Sequence, residues 1–546
     1  MNTPQPVNAV SIHKPNLVVL LVPMLLMAGP LAFGAERTQA ARAFRRGDKD
    51  FYNVRAFGAV GDAKTLDSPA INRAIEACAK AGGGTVFVPA GTYLSGSIHL
   101  KSYINLHLDA GATILGAPQG LNAYDPAEPF KGQAYQDGGH TYFHNSLIWG
   151  EDLTNVSITG QGIINGGGLV RQSELLDRLN GFNTWNPTNP APFIKPPVTN
   201  EAALRIGNKA IALLRCRHVL LRDITIFHGG HFALLATGCD DMAVDNVTVD
   251  TNRDGFDFDC CRNLAVSNCR VNSPTDDGIC PKSSYALGKP VITENLTIVN
   301  CQVSGFKEGT LLDGTMKPSP HGTGRIKFGT EASGGFRNCA VANCTFRSCH
   351  GLALEEVDGG LLENITINNL SMMDVAHYPI YITLGMRNRT PGITRPGKLR
   401  NVLISNVLAT GVDPMSGIQI TGCPGAPVEG IRLENIRLIF KGGGTKEQSA
   451  RVAPELGTGY PEPSRLGTMP AYGLFARHVQ DLELANIRFS FLQDDLRPAL
   501  VCSDVDGLEI DDFKAQTASG VTPAAFEAVK GLIIRNSPVL DGIAVK

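Results

Sequence analysis

A short word recurs along this chain: Asn, Asp or Gly, an apolar residue, any residue, a second apolar residue, a polar one, then Asn, Asp or Gly again. It occupies residues 155–160, 241–246, 263–268, 295–300 and 364–369, and returns at 401–406, 430–435, 481–486 and 507–512. Alternation with period two is the mark of a strand. Asn at the ends of the word suits a sharp corner, because it tolerates the left-handed backbone region that most L-residues avoid. Steps between words are often 22 to 29 residues, and the larger gaps read as coils carrying inserted loops. A row of independent hairpins would give similar words, but the steady period over about 350 residues would then be coincidence. A coil that cannot bury its apolar face alone must stack on its neighbours. The expected fold is therefore all-β: a single-stranded right-handed parallel β-helix, a solenoid with an N-terminal capping helix and long inserted loops.

The cap is read from residues 52–116. Ile71, Ala74, Ile75 and Cys78 share one helical face, Ser68 is the expected N-cap, and Gly82, Gly83 and Gly84 end the helix. Short alternating strands follow at 85–88, 92–94 and 104–108. The insertions at 116–144, 168–210, 306–324 and 441–471 are expected to form the walls of a groove.

The 546 residues are compatible with one long solenoid domain. Hydrophobic residues make up 43% and charged residues 18%, enough for a large core and against global disorder. A net charge of −2 with no basic stripe excludes nucleic acid as the expected partner. After Lys14 comes an apolar run over 17–35, ending in the small residues Ala32, Gly34 and Ala35. It reads as a secretory signal over 1–35, followed by a basic leader over 36–50 and a β-helix catalytic domain over 51–546. Pro23 and Pro30 inside the run argue against an uncleaved anchor. The mature protein is expected to be a secreted or periplasmic monomer, with no membrane partner once the signal is removed.

There are 13 cysteines, so at least one thiol stays unpaired. Cys216, Cys239, Cys261, Cys280 and Cys301 follow at steps of 23, 22, 19 and 21, which predicts one inward position filled repeatedly by a packed ladder rather than by disulfides. None has zinc-site spacing.

Two acidic clusters stand one coil apart: Asp254 with Asp257 and Asp259, then Asp276 with Asp277. Stacking would bring Asp254, 23 residues before Asp277, onto the same patch of surface. Crowded like charges raise one pKa and leave another low, so a proton donor and a base can coexist there near neutral pH. That is what glycosidic hydrolysis needs. Asp-Asp-Gly as a plain turn is the bland alternative, and calcium binding by clustered carboxylates is another.

Residues 56–62 through Gly91-Thr92-Tyr93, Asn252-Arg253-Asp254-Gly255, and Asp276-Asp277 with Ile279 and Lys282 resemble the family 28 glycoside hydrolases, the polygalacturonase-like enzymes of the pectin-degrading β-helix superfamily. The resemblance runs from about Tyr52 to beyond Gly411. It implies Asp276 as general acid, with Asp254 and Asp277 holding and activating water. It also implies inversion without a metal or other cofactor, at an acid-to-base separation of roughly 6.5–9.5 Å. Asn252, Lys282, His321, Arg325, Lys327 and Glu355 are the expected substrate-binding residues. Two departures stand out. Thr323 occupies the His position of the family's Gly-His-Gly, with His321 nearby. Ala353 and Glu355 stand where the family's Arg-x-Lys binds uronate carboxylates, while Arg325-Ile326-Lys327 falls one coil early. His377, Tyr378 and residues 387–389 are expected at further subsites.

The expected activity is hydrolysis of a galacturonic-acid-containing polysaccharide or oligosaccharide. A calcium-dependent lyase on the same fold, and a β-helix that binds carbohydrate without cleaving it, remain as alternatives.

Overall fold

A computed structural model describes residues 51–128, 138–170, 204–320, 322–415 and 417–546. The signal and leader expected over 1–50, and His321, lie outside the described residues. Among the described residues no helix is long and apolar enough to cross a membrane.

The repeated words are strands in parallel register, as a β-helix requires. Leu296 stands over Leu264 and under Cys339, and the same column continues through Ile365, Val402, Ile431, Leu482 and Leu508. A second column runs Val244, Val266, Ile298, Val341, Ile367, Ile404, Leu433, Leu484 and Ile510. All these side chains are buried in one continuous core. Removing a Val, Leu or Ile side chain from water is worth about 1.5–3 kcal/mol, so these columns hold the coils together. Residues 338–343 join the same columns as a further copy of the word, and 218–223 join them with His218 in the opening position.

The corners explain the asparagines. Asn263, Asn268, Asn295, Asn300, Asn338, Asn343, Asn364 and Asn369 all have φ between 54° and 58°, the left-handed region. Their amides also hydrogen-bond along the solenoid: Asn295 donates to Asn263 at 3.0 Å, Asn338 to Asn295 at 2.7 Å, and Asn343 to Asn300 at 3.2 Å. Backbone strain and side-chain stacking thus select the same residue type.

The capping helix α1 spans Ser68–Lys80 and buries Ala70, Ile71, Ala74, Ile75 and Cys78. Its N-cap is Asp67 rather than the expected Ser68. The Asp67 carboxylate instead accepts from Val60 and Gly61 N–H, while Ser68 Oγ, already inside the helix, accepts from Gly96 N–H. The three strands expected after it are found at Gly84–Val88, Gly91–Ser95 and Ile104–Leu108.

All thirteen cysteines are buried free thiols. The single expected ladder is in fact two. Cys216, Cys239 and Cys261 stack through their side chains, and Cys269, Cys301 and Cys344 form a separate stack. Cys280 belongs to neither, because its strand lies on another face and pairs it with Asp257.

Candidate active site

One face of the solenoid is built by Phe232–Thr237 (β1), Asp254–Asp259 (β2), Ile279–Lys282 (β3), Lys327–Phe328 (β4), His350–Glu356 (β5) and Ala376–Leu384 (β6). Neighbours pair in parallel, β3 and β4 meeting through Ile279 and Ile326. At the start of β2 and β3, Gly255 N–H donates to the Asp277 carbonyl at 3.0 Å, so Asp254 and Asp277 occupy adjacent rungs. One oxygen from each of Asp254, Asp276 and Asp277 lies within 4.8 Å of the others. The wide acid-to-base gap expected above is absent. The reason is geometric: Asp276 and Asp277 are sequence neighbours, and Asp254 stacks one rung from them.

The three acids differ in surroundings. Asp254 is 2% exposed and Asp277 1%, whereas the Asp276 side chain is 31% exposed. Burial, then the neighbouring charges of Asp276 and Asp257, push the Asp254 carboxyl well above the usual carboxylate range. Burial would raise Asp277 too, but Arg325, Lys327 and Lys282 outweigh it and hold that carboxyl well below the usual range. Arg325 Nε donates to Asp277 Oδ1 at 2.6 Å and Lys327 Nζ to Oδ2 at 3.0 Å. Arg253, where the family motif has Thr, places Nε 3.2 Å from Asp276 and 3.6 Å from Asp254, with its guanidinium 5.8 Å from the centre of the Phe232 ring. A group that holds a proton and a group that cannot therefore stand side by side.

Above these acids opens a cavity of about 500 Å³ lined by Thr275, Asp276, Thr323, Arg325, Lys327, His350, His377, Tyr460, Glu462 and Ser464. A second cavity of about 320 Å³ includes Asn252, His228 and Glu308 in its wall. The expected basic pair sits in the rung directly after Asp277, with Ala353 stacked on Lys327 in the next. The insertion over 441–471 delivers Tyr460, Glu462 and Ser464; the insertion over 306–324 delivers Thr323 and Glu308.

Two expected substrate-binding residues lie beneath the cavity instead. Lys282 is 7% exposed, and its ammonium is 3.0 Å from Glu331 and 3.6 Å from Asp257. Glu355 is fully buried, 3.8 Å from Lys327, and burial pushes its carboxyl up to about 7. Both residues point to the outward side of their strands, Glu355 in the same phase as Lys327, but neighbouring side chains cover them there. Arg387 is likewise buried, bound to Asp358 and 3.4 Å from Glu331, so it buttresses the site and lines no subsite. Asp257 and Asp259 belong to this lower layer. Burial pushes Asp257 up to about 7, although Lys282 and His140 pull the other way. Asp259 is 3.3 Å from His140 and accepts from Ser284 Oγ.

Arg253, quoted above only as part of its motif, and His140, His350, Tyr460 and Glu462, which carry no local signal of their own, complete the site. His140 and Glu462 come from insertions, and only the three-dimensional path of those loops brings them in.

Among the described residues, two clusters have donor atoms close enough for a metal ion: the three acids, and His350 with His377 and Glu462. In both, a protein cation already sits among the donors. Arg325 NH2 donates to Glu462 Oε2 at 3.1 Å and NH1 lies 3.5 Å from His350 Nδ1; Arg253, Arg325 and Lys327 surround the acids.

Comparison with known proteins agrees with this fold. Residues 51–307 match the family described as rhamnogalacturonase A/epimerase, pectate lyase-like. The chain is 25% identical over 414 residues to an exo-poly-alpha-D-galacturonosidase of Dickeya chrysanthemi, a match covering 68% of this chain and 64% of that protein. The chain thus spans a little under two thirds of that relative's length. Its fold is that of the exopolygalacturonase of Thermotoga maritima, with a TM-score of 0.56, 23% identity, and coverage of 71% of this chain and 87% of the other. The family 28 exopolygalacturonase of Yersinia enterocolitica gives a TM-score of 0.53 at 20% identity, covering 89% and 78%. With its parallel coils and its stacked aspartates on one face, the chain is similar to the polygalacturonases, and over residues 51–307 to the pectate lyase-like rhamnogalacturonase A/epimerase family.

Proposed function

We propose that this protein hydrolyses a glycosidic bond in a galacturonic-acid-containing glycan, with Asp276 as general acid and Asp254 and Asp277 holding the attacking water. One observation carries the reading: a carboxyl that burial keeps protonated and a carboxylate that Arg325 and Lys327 keep ionised meet within 4.8 Å of Asp276, at the mouth of a sugar-sized cavity. Asp276, the accessible member, reaches the glycosidic oxygen and donates the proton as the bond to the anomeric carbon breaks. Asp277 accepts a proton from the water that forms the new bond. Asp254 sits within reach of both: it passes its proton to Asp276 and takes up the one Asp277 received from the water, which returns all three acids to their starting states. The activity in the name of the similar Dickeya protein, an exo-poly-alpha-D-galacturonosidase, supports the substrate class. The two cavities on either side of Arg253 and Asp276 serve as subsites for the two sugars that flank the scissile bond. Secretion or export to the periplasm, action as a monomer and a role on plant cell-wall glycans belong to the same proposal.

The test is product analysis on pectic polymers and oligosaccharides, with wild type beside Asp276→Asn. New reducing ends without an unsaturated product, reduced about 10²–10⁴-fold in the variant, are expected for a lost general acid. Proton NMR of the first-formed anomer reports whether configuration inverts. Ultraviolet-absorbing unsaturated ends that vanish with chelator would move the protein to the lyases and end the hydrolase reading.

A further inference from the structure

Glu462 sits where a substrate carboxylate would be bound. It arrives 137 residues after Arg325 in sequence, on a segment anchored to the solenoid by its own small core of Ala453, Leu466, Met469, Ala471 and Phe475. Its two oxygens face Arg325 NH2 at 3.1 Å and NH1 at 3.5 Å, the forked geometry with which a guanidinium grips any carboxylate. Arg325 Nε is taken by Asp277, and NH1 also meets the Tyr378 hydroxyl. Lys327 is held between Asp277 and Glu355. Both cations of the cavity are therefore neutralised from within the protein.

A uronate carboxylate entering this cavity would have to displace Glu462 and then lie beside Asp276 and Asp277. What the cavity offers otherwise is no fixed cation: the hydroxyls of Thr275, Thr323 and Ser464, the Tyr460 ring, and the imidazoles of His350 and His377. His350 is 5% exposed, its Nε2 is buried without a partner, and burial together with Arg325 holds the ring in its neutral form, suited to a sugar hydroxyl. We propose that Glu462 is a specificity-determining residue that closes the Arg325 fork against uronates, so that the sugar occupying this cavity is a neutral one, without a carboxylate. The inference rests on the hydrolase reading for the chemistry but concerns only which sugar is selected. It makes the glycan one in which uronic and neutral sugars meet at the cleaved bond.

The test uses the full-length protein and two oligosaccharides of equal length, one all-galacturonate and one alternating galacturonate with rhamnose. Binding is measured by calorimetry in the Asp276→Asn background and cleavage in the active protein, each with Glu462 and with Glu462→Gln. Expected is a preference of wild type for the alternating ligand, and a shift of about tenfold toward the all-galacturonate ligand in Glu462→Gln, the size of one recovered charge pair worth near 1.4 kcal/mol. Equal use of both ligands by wild type, or a preference unchanged by Glu462→Gln, overturns the inference and leaves hydrolysis standing. The wild-type preference needs no variant to fold, and it alone decides against the inference if it favours the all-uronate ligand. Selective binding of the alternating ligand with no cleavage of either would instead keep the neutral-sugar subsite and end the hydrolase reading.

Discussion

The asparagine-cornered face and the aspartate-bearing face of this solenoid share one backbone and opposite logics. On the first, each rung repeats its neighbour: Leu264, Leu296, Cys339, Ile365 and Val402 fill one column, and Asn follows Asn at the corners. On the second, successive rungs carry unlike residues, Asp257 beside Cys280, Lys327 beside Ala353, Ala353 beside Tyr381, Tyr381 beside Gln419. Parallel backbone hydrogen bonds hold both faces at the same spacing whatever the side chains are. Periodicity is thus demanded only of residues that point inward or turn a corner. The outward set of one face is released to carry chemistry, and that chemistry is local to a few rungs.

The sharpest way to break this contrast is to cut one residue from each face. Asp277→Ala leaves Arg325 and Lys327 buried without their shared counter-ion, and breaking a buried charged cluster in this way costs about 3–5 kcal/mol. Thr297→Ala, outward and exposed on the repetitive face, is expected to change stability by less than about 0.5 kcal/mol. Denaturant unfolding of both variants measures the difference. Partial recovery on combining Asp277→Ala with Lys327→Met would attribute the loss to uncompensated charge, and equal small losses at both positions would erase the contrast.

Glu355 gives the next largest effect, and it depends on pH. Its carboxyl titrates near 7 when folded, against an ordinary 4.5. Between those values the folded chain keeps a proton that the unfolded chain has released, so stability falls as pH rises through the window and levels off above 7. A shift of this size is worth about 3 kcal/mol. Glu355→Gln cannot titrate and should gain about that much on wild type between pH 4.5 and 8, read from urea midpoints. Parallel curves would mean that Lys327 already stabilises an ionised Glu355.

The same contrast explains what was legible in the sequence. The fold was, because inward columns and left-handed corners restrict residue type at every rung and the restriction repeats. Asp254, Asp276 and Asp277 were, because they fall at rung spacing on adjacent coils. Lys282 and Glu355 were misplaced because an outward phase does not reveal what covers a side chain: Lys282 is packed under Glu331 and Glu355 beside Lys327, in a layer below the cavity. Glu462 and His140 were invisible because inserted loops have no register: a Tyr-Pro-Glu-Pro segment carries no sign that it will close over Arg325. Cys280 and Cys301 were assigned to one ladder because nearly equal steps in sequence do not reveal which face a strand occupies.

The smallest effect tests whether the repetitive face owes its asparagines to backbone strain or to side-chain stacking. Asn300 has φ 56° and donates to Asn268 at 3.3 Å while accepting from Asn343 at 3.2 Å. Alanine there loses both amide contacts and must hold a left-handed conformation that costs an ordinary L-residue about 1–2 kcal/mol. Glycine loses the same contacts but pays no such strain. If strain dominates, Asn300→Ala is destabilised by about 1–2 kcal/mol and Asn300→Gly by clearly less. If the amide ladder dominates, the two variants unfold at the same denaturant concentration. The ladder contacts are exposed, and an exposed hydrogen bond exchanged against water is worth little. The unequal outcome is therefore the expected one, and it would make the corner a property of the backbone that the stacked amides merely follow.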